Sequence, residues 1–413
     1  MLRGRGAAAT KMITLDEALT LIRQHAGPLP PDRAPLADSL GLVLAEDVTS
    51  DVDTPPHDKA MVDGYAVIAA DSQPRTVIEE VTAGRVPSRT VTQGTATRIM
   101  TGAPIPKGAD AEVMVERTET LADATIRLLE PSVTPAQNIM RRAASTRCGD
   151  VVLSRGTEVL PTAAGLLAEV GCTRPSVVPR PTAAVAATGD ELVAPDEVPA
   201  AGQLRNSNGP LLVAAARRAG AVPLDLGIAI DDPDALAEKI TTGLESDILL
   251  LSGGVSAGVL DLVPGVLARL GVEQVFHKVQ IKPGKPIWFG VKRNAANRIG
   301  PPTLVFGLPG NPVSGWVCFE LMVRPAIAAL SGRSAAGLTT VTARLAAEHH
   351  HRGSRLTFRP AVLWQDEDGS VVELVAWQGS ADLAGLASAN ALVQFDPVDR
   401  VYKAGEEVHV ILL

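Results

Sequence analysis

The run from Asp247 to Gly258, Asp-Ile-Leu-Leu-Leu-Ser-Gly-Gly-Val-Ser-Ala-Gly, constrains the fold more than any other stretch of the chain. Ile248 to Leu251 form a short, uninterrupted apolar run, the pattern of a strand buried on both faces of a parallel sheet. Ser252, Gly253 and Gly254 then remove side-chain bulk where the strand ends, and Ser256 is placed to cap the next segment. A strand, a glycine-rich turn and a helix start make an anion site, because unpaired N–H groups point outward and the dipole favours negative charge. A plain tight turn also explains the two glycines, so the surroundings have to decide. Two similar strand ends frame the run, at Thr188-Gly189-Asp190-Glu191 and Gly307-Leu308-Pro309-Gly310-Asn311-Pro312.

Around this run the pattern is regular. Ala183 to Ala187 reads as a buried strand ending in a turn, and Asn206 to Pro210 caps a helix through Arg218. Ala221 to Ile230 is a strand, Asp231-Asp232-Pro233 caps a helix from Asp234 to Leu244, and Leu262 to Leu270 and Thr303 to Gly307 continue the alternation. Strands alternating with helices of about 10–15 residues predict a doubly wound parallel sheet. Such sheets bind ligands at the carboxyl ends of their strands, where Thr188 to Glu191, Asp231, Ser252 to Gly254 and Gly307 to Pro312 all fall.

Composition removes several classes. The chain has 413 residues, enough for two to four domains, and 38 basic against 46 acidic residues give a net charge of −8. That balance argues against nucleic-acid binding, and 3% aromatics argue against a base-stacking platform. Cys148, Cys172 and Cys318 are widely spaced and odd in number, which fits a reducing cytoplasm and neither a disulfide framework nor a CxxC metal site. The first ten residues are basic but lack an apolar stretch behind them, and no apolar run approaches the roughly 18 residues of a membrane span.

The N-terminal third reads differently. Thr14 and Glu17 form a capping box opening a helix that Gly27-Pro28 ends, and Thr162 is read as the cap of a helix running to about Val170. Residues 74–130 are rich in Val and Thr with Gly and Pro breaks, the composition of a small β-domain. Asp63-Gly64 precedes a strand start at Tyr65-Ala66-Val67, and on local evidence a surface turn explains it better than a site does. The loop Thr101-Gly102-Ala103-Pro104 to Pro106 is held by prolines and released by glycines, so it keeps one shape. Arg141-Arg142 reads as a solvated face or as a phosphate clamp.

Beyond the organising run, Lys278, Gln280 and Lys282 share one face if they lie on a strand, with Lys285 close behind. Three point charges beside a glycine-rich turn suit a polyanionic ligand, although a solvated edge has the same pattern. Val313 to Leu330 is a helix, and 338–413 alternates short strands with turns, a second small β-domain. His349-His350-His351 is read there as an exposed strand end rather than a metal site.

Six motifs in order then carry a family resemblance: Asp63 to Val67, Thr101 to Pro104, Thr188 to Leu192, Ser252 to Ser256, Ile281 to Pro286 and Gly307 to Pro312. Together they resemble the molybdopterin molybdenumtransferases (MoeA), shared with the C-terminal domain of gephyrin, over roughly residues 12 to 411. The resemblance implies a multidomain α/β chain: an N-terminal region at 12–180 with a β-rich subdomain at about 52–145, a molybdopterin-binding-like sheet domain at 181–332, and a β-domain at 338–413. It implies insertion of molybdenum from molybdate into adenylylated molybdopterin with release of AMP, by cytoplasmic homodimers, with an adenylyltransferase partner supplying the substrate.

Carried over residue by residue, it implies that Asp190, Glu191, Asp231 and Asp261 surround Mg²⁺ and the adenylate phosphates, with Glu191, Asp231 and Asp261 as the metal ligands. Lys278, Lys282 and Lys285 would hold phosphates, and Ser252, Gly253, Gly254 and Ser256 would form the anion turn. Asp63 and Thr101 would reach in from the other protomer, and Pro309, Pro312 and Ser380 would shape the molybdate side. The chain departs from the family at Ala143-Ala144-Ser145, where Gly-Glu-Asp is usual, at Ala60, where Ser is usual, and at Val259-Leu260, where a more polar pair is usual. Two other readings stay open: a molybdopterin adenylyltransferase, whose sheet domain is similar, and a non-catalytic pterin-binding or scaffold paralogue.

Overall fold

A computed structural model describes residues 12–130, 132–254, 262–293, 299–333 and 338–413. The chain divides into two compact units, one of Met1–Arg33, Gly41–Ala45 and Ser176–Leu413, the other of Ala34–Leu40 and Glu46–Pro175.

The first unit is built on a six-stranded sheet. Its strands in chain order are β1 (Thr182–Thr188), β2 (Val222–Ala229), β3 (Ile248–Ser252), β4 (Glu273–His277), β5 (Trp288–Lys292) and β6 (Thr303–Leu308), and their order across the sheet is β2-β1-β3-β6-β5-β4. Pairing places Ala183 beside Ile248 and Ile248 beside Leu304, so equivalent apolar residues line up across three strands. Ala183, Val185, Ile248, Leu250, Leu304 and Phe306 enter one core; Ala184, Ala186, Leu249, Leu251 and Val305 enter the core on the opposite face. Unbroken apolar runs are required because alternate residues feed two different cores. Helices cover both faces, with Leu15, Leu212 and Val317 over the first core and Leu236, Ile240 and Val266 over the second. The doubly wound expectation holds, with one correction: β5 is antiparallel to β6, and β4 is antiparallel to β5, so the sheet is mixed at that edge.

Local signals explain much of the first unit. Thr14 Oγ1 accepts from Glu17 N, and the Glu17 carboxylate accepts from Thr14 N, closing the capping box of the helix Leu15–His25. Asp232 caps the helix Pro233–Gly243 by accepting from Asp234 N and Ala235 N. The segment expected as one helix from Val313 is interrupted: an α-helix at Pro312–Cys318 passes through a π turn at Phe319–Val323 into Arg324–Leu330. Pro312–Leu330 is also 19 residues long and apolar enough to cross a membrane, contrary to the sequence reading, yet 78% of its apolar window is buried inside the fold. It is a core helix here. The C-terminal strands close on one another, because Ala391–Phe395 pairs with both Glu407–Leu412 and Leu356–Asp366, and Phe358, Leu392 and Ile411 join the first core.

The second unit carries the expected small β-domain, a six-stranded sheet in the order Ala111–Met114, Gly64–Val67, Thr95–Ile99, Arg75–Val81, Thr125–Leu128, Thr118–Thr120. Gly64 is required there, because a Cβ would meet the Val113 carbonyl oxygen at 2.0 Å. The helix Pro161–Glu169 starts at Pro161, with Leu160 in the cap position, so Thr162 lies inside the first turn and does not cap it.

The π turn places Glu320, fully buried, between Arg218 and Arg324. Burial, outweighing the two arginines, raises its carboxyl above the usual range. A raised folded pKa means that the ionised group opposes folding as pH rises, and that a protonated Glu320 depends less on its arginine partners than an ionised one. Arg218→Ala is therefore expected to destabilise the protein by roughly 2–4 kcal/mol at pH 8, since Arg324 remains, and by clearly less at pH 5. Thermal unfolding of both proteins at the two pH values measures the difference.

Candidate active site

The carboxyl ends of β1, β2, β3 and β6 open into one cavity of about 520 Å³, within the usual range for small-molecule sites. Its wall holds Thr188, Gly189 and Glu191 from the first turn, Asp231 after β2, Ser252 to Gly254 after β3, and Pro309 to Asn311 after β6. Gly253 and Gly254 have φ of +96° and +64°, conformations in which an L side chain is strained. A Cβ on Gly253 would lie 2.6 Å from the Thr188 carbonyl oxygen, and one on Gly254 would lie 2.8 Å from Val263 Cγ2. Gly253 is therefore required where the turn packs against backbone, and Gly254 where it packs against the Val263 and Thr188 side chains.

The amide hydrogen bonds correct one expectation. Gly253 N–H donates to the Leu308 carbonyl at 3.1 Å, so it is tied to β6. The polar atom this turn presents is the Ser252 hydroxyl, which accepts from Asn208 Nδ2 at 2.8 Å. Asn208 also donates to the Gly310 carbonyl at 2.7 Å, while its Oδ1 is buried without a hydrogen-bond partner. Asn208 thus joins the helix Asn208–Arg218 to two strand ends, and the sequence reading missed it as a site residue. Asn206 does the local work, its Oδ1 accepting from Gly209 N, which leaves Asn208 for the cavity.

The two acids of the first turn diverge. Glu191 folds its carboxylate over Gly189, where a Cβ would come within 2.4 Å of Glu191 Oε2. Asp190 turns away, and its Oδ1 accepts from Asp231 N at 2.9 Å, fastening the β1 turn to the β2 turn. Glu191 and Asp231 line the cavity and Asp190 does not. Asp261 and Ser256 lie outside the described residues. Among the described residues no group of three or more His, Cys, Asp or Glu side chains converges as a metal site.

The lysines are not on one strand face. β4 ends at His277, Lys278 has φ of +75°, and Lys282 belongs to a separate short strand, Ile281–Lys282, paired with Leu356–Asp366. The positive φ breaks the alternation that equal spacing implied. Neither Lys278, Lys282 nor Lys285 lines the cavity, although Pro286 does. Pro309 is in the wall, while Pro312 opens the helix behind it. Ser380 is anchored to that helix start: its hydroxyl accepts from Asn311 Nδ2 at 2.9 Å and its carbonyl accepts from Val313 N at 3.1 Å.

A second polar cluster lies by Lys282. Arg359 stacks over Trp377 at 5.1 Å, its Nε has no hydrogen-bond partner, and burial pushes its guanidinium down. Burial, then Arg359, holds His349 down at about 4, and burial, then Lys282, lowers His351. His351 is 4% exposed and stacks on Phe395 at 5.3 Å, so the exposed strand end expected for the histidine run holds for His350 but not for His351, with His349 half-buried between these extremes. The sequence reading gave Arg359 no role, since nothing local distinguishes it from a solvated strand residue.

In the second unit, Asp63 Oδ1 accepts from Thr101 N and from Thr101 Oγ1, both at 2.8 Å. Those bonds hold the Asp63 carboxyl below the usual range, the backbone N–H first. Arg141 pairs with Asp58 at 2.6 Å and Arg142 with Asp53 at 2.5 Å, so both arginines tie their loop to the 53–58 segment and the phosphate-clamp reading loses its support. Ala143, where the chain departs from the family, sits in the same loop with φ of +60°, its N–H donating to the Pro55 carbonyl.

Three family models match in order: the MoeA N-terminal region (domains I and II) over 13–171, a probable molybdopterin binding domain over 184–329, and the MoeA C-terminal region (domain IV) over 342–413. The molybdopterin molybdenumtransferase of Staphylococcus aureus is 33% identical over 412 residues, 97% of this chain and 95% of that one. That of Bacillus subtilis is 33% identical over 389 residues, 92% and 89% of the two chains. Among solved structures, a molybdopterin biosynthesis moeA protein from Pyrococcus horikoshii aligns with a TM-score of 0.79 at 30% identity, covering 98% of this chain and all of that one. With three domain models in sequence and end-to-end relatives, the chain belongs to the molybdopterin molybdenumtransferase (MoeA) family.

Proposed function

We propose that this chain inserts molybdenum from molybdate into adenylylated molybdopterin, releasing AMP, and that the cavity at the strand ends holds the adenylate. The observation that carries the reading is the pairing of an acidic wall, Glu191 and Asp231, with a neutral hydrogen-bonding wall, Ser252 and Asn208, in one cavity. The neutral wall suits phosphate and ribose groups without adding charge: the Ser252 hydroxyl can donate to a phosphate oxygen, and Asn208 Oδ1, its amide hydrogens held by Ser252 and Gly310, can accept from a ribose hydroxyl. The donor chemistry fits a hard cation: Mg²⁺ is held by one or two carboxylates together with substrate phosphates, and Glu191 and Asp231 would hold it, with Asp261 as the third ligand. When bound, the ion would neutralise the charge on the leaving phosphate. Asp190 holds the β1 and β2 turns together, which keeps Glu191 and Asp231 at a set spacing. Lys282, paired with Thr357 on the strand that carries Arg359, would hold the pterin phosphate and the molybdate oxyanion, with Lys278, Lys285, Pro309, Pro312 and Ser380 completing that side.

We further propose a cytoplasmic homodimer in which Asp63 and Thr101 of one protomer complete the partner's site, and a molybdopterin adenylyltransferase as the source of substrate. The mutual bonding of Asp63 and Thr101, the two motif residues of a β-domain with its own core, supports a shared role. Three free cysteines support a reducing compartment.

Purified protein given adenylylated molybdopterin, molybdate and Mg²⁺ should release AMP. Glu191→Gln should abolish the metal-dependent part while the melting temperature holds, whereas a structural carboxylate would cost at most about 1 kcal/mol and leave turnover intact. Normal turnover with an unchanged Mg²⁺ midpoint would remove Glu191 from the metal. Lys282→Ala should weaken binding of the adenylylated pterin by about 10- to 150-fold, the range for losing a charged hydrogen bond. Calorimetry showing equal affinity returns Lys282 to a solvated edge. Mixed dimers of Asp63→Ala and Asp231→Ala protomers should regain activity, since one of their two sites is intact. Dimers that form but stay inactive would count against the shared site.

A further inference from the structure

Glu112 is a charged residue in an apolar strand, and the chemistry proposed for the cavity does not use it. It lies in Ala111–Met114 between Ala111 and Val113, all three with no exposure to solvent. Pairing sets Thr97, Ala66 and Glu112 in one row across three strands, so their side chains share a face. Neighbouring Ala60, Ala66, Ile99 and Ala103 make an apolar cluster there. Glu112 Oε2 accepts from Met61 N at 2.9 Å and from Val62 N at 3.4 Å, the two residues that lead into Asp63. Its Oε1 is buried with no hydrogen-bond partner, as is Thr97 Oγ1 on the same row. A half-satisfied buried carboxylate is a poor stabiliser, and an apolar residue would pack the row at less expense.

We propose that Glu112 is a positioning residue that fixes the backbone before Asp63, holding it firmly when ionised and loosely when protonated. The inference rests on the reading of Asp63 as a site residue. Charge-assisted hydrogen bonds are about twice as strong as neutral ones, so the ionised form holds Met61 and Val62 better. Burial first, and then the negative charge of Asp63, push the Glu112 carboxyl up to about 7, which places the change inside the working range. Other charged groups nearby are engaged elsewhere. Asp58 pairs with Arg141, Glu79 accepts from Ser88 and Arg89, and Asp110 accepts from Ala69 N. Arg98 bonds the Tyr65 hydroxyl on the opposite face, and Lys59 lies in the strand paired with Ile139–Met140. The chain through Glu112 is short: Met61 and Val62 are held by its carboxylate, the Asp63 carbonyl accepts from Val115 N at 2.9 Å, and the Asp63 carboxylate grips Thr101.

Two effects of Glu112→Gln run in opposite directions, which makes the role testable. Because the folded pKa lies above the unfolded one, wild-type stability falls as pH rises from the ordinary carboxyl range through about 7, and the amide escapes that loss. Glu112→Gln should therefore melt higher than wild type at pH 8 and equally at pH 5. AMP release should behave oppositely: equal kcat for the two proteins at pH 6, and wild type about tenfold faster at pH 8.5, with KM little changed. Amide exchange of residues 59–66, read against the strand Glu407–Leu412 as an internal control, should show protection in wild type rising between pH 6 and 8 and staying flat in the variant. A kcat ratio constant across pH, with equal exchange, overturns the proposal and leaves Glu112 a structural residue. If Asp63→Asn turns over normally, the Asp63 reading fails by itself, and exchange still decides whether Glu112 holds the loop. Should Glu112→Gln not fold, wild-type exchange against pH decides the same question, flat protection refuting the proposal.

Discussion

Burial of β1, β3 and β6 on both faces is the constraint on which the rest of the first unit depends. A strand whose alternate residues enter two cores has no side chain left to interact with solvent along its length. Polar chemistry is then confined to the strand ends, and because these strands run parallel, their ends fall together. The close approach of the turns follows from the same geometry. Gly253 lies against the Thr188 carbonyl and donates to the Leu308 carbonyl, so the turns after β1, β3 and β6 form one packed backbone surface. Side chains at its margin, Glu191, Asn208, Ser252 and Asp231, become the cavity wall by default.

The buried and half-buried charges divide by how they are satisfied. Glu320 sits within the core but faces two arginines, and it lies in the π turn Phe319–Val323. Glu112 has two backbone donors and an oxygen facing nothing. Arg359 has an aromatic face in place of an acid. Buried ions that lack a full set of partners do little for stability, so their presence is better explained by what they hold or meet. On the function proposed above, Arg359 would meet an anion; Glu112 holds the backbone that leads into Asp63.

Much of the site could be read from the chain before any coordinates, for local reasons. The capping box at Thr14 and Glu17 and the cap at Asp232 are built from residues three or fewer apart, so the sequence holds both partners of each bond. The glycines at 253 and 254 were legible as a turn at a strand end, and the acids Glu191 and Asp231 as strand-end residues of a parallel sheet. The equal spacing of the lysines implies a continuous strand, but one residue in the left-handed region at Lys278 cancels the alternation. Asp190 and Glu191 are neighbours of similar chemistry, and no local rule says which turns inward.

The strand ends, the chemistry gathered at them and, through six ordered motifs, the family are all written in the order of residues along the chain. These depend on periodicity, on conformational limits of Gly and Pro, and on residue order, all properties of the chain as written. Which polar atoms are occupied follows from packing between distant parts of the chain. Asn208 serves the cavity because Asn206 caps the helix in its place, and Gly253 N–H is withheld because β6 lies beside β3. His351 is core because Phe395, forty-four residues on, stacks against it, and Glu112 reaches Met61 across fifty-one residues. A hydrogen bond or a burial between residues so far apart depends on the packing of whole sheets, which no window of sequence contains.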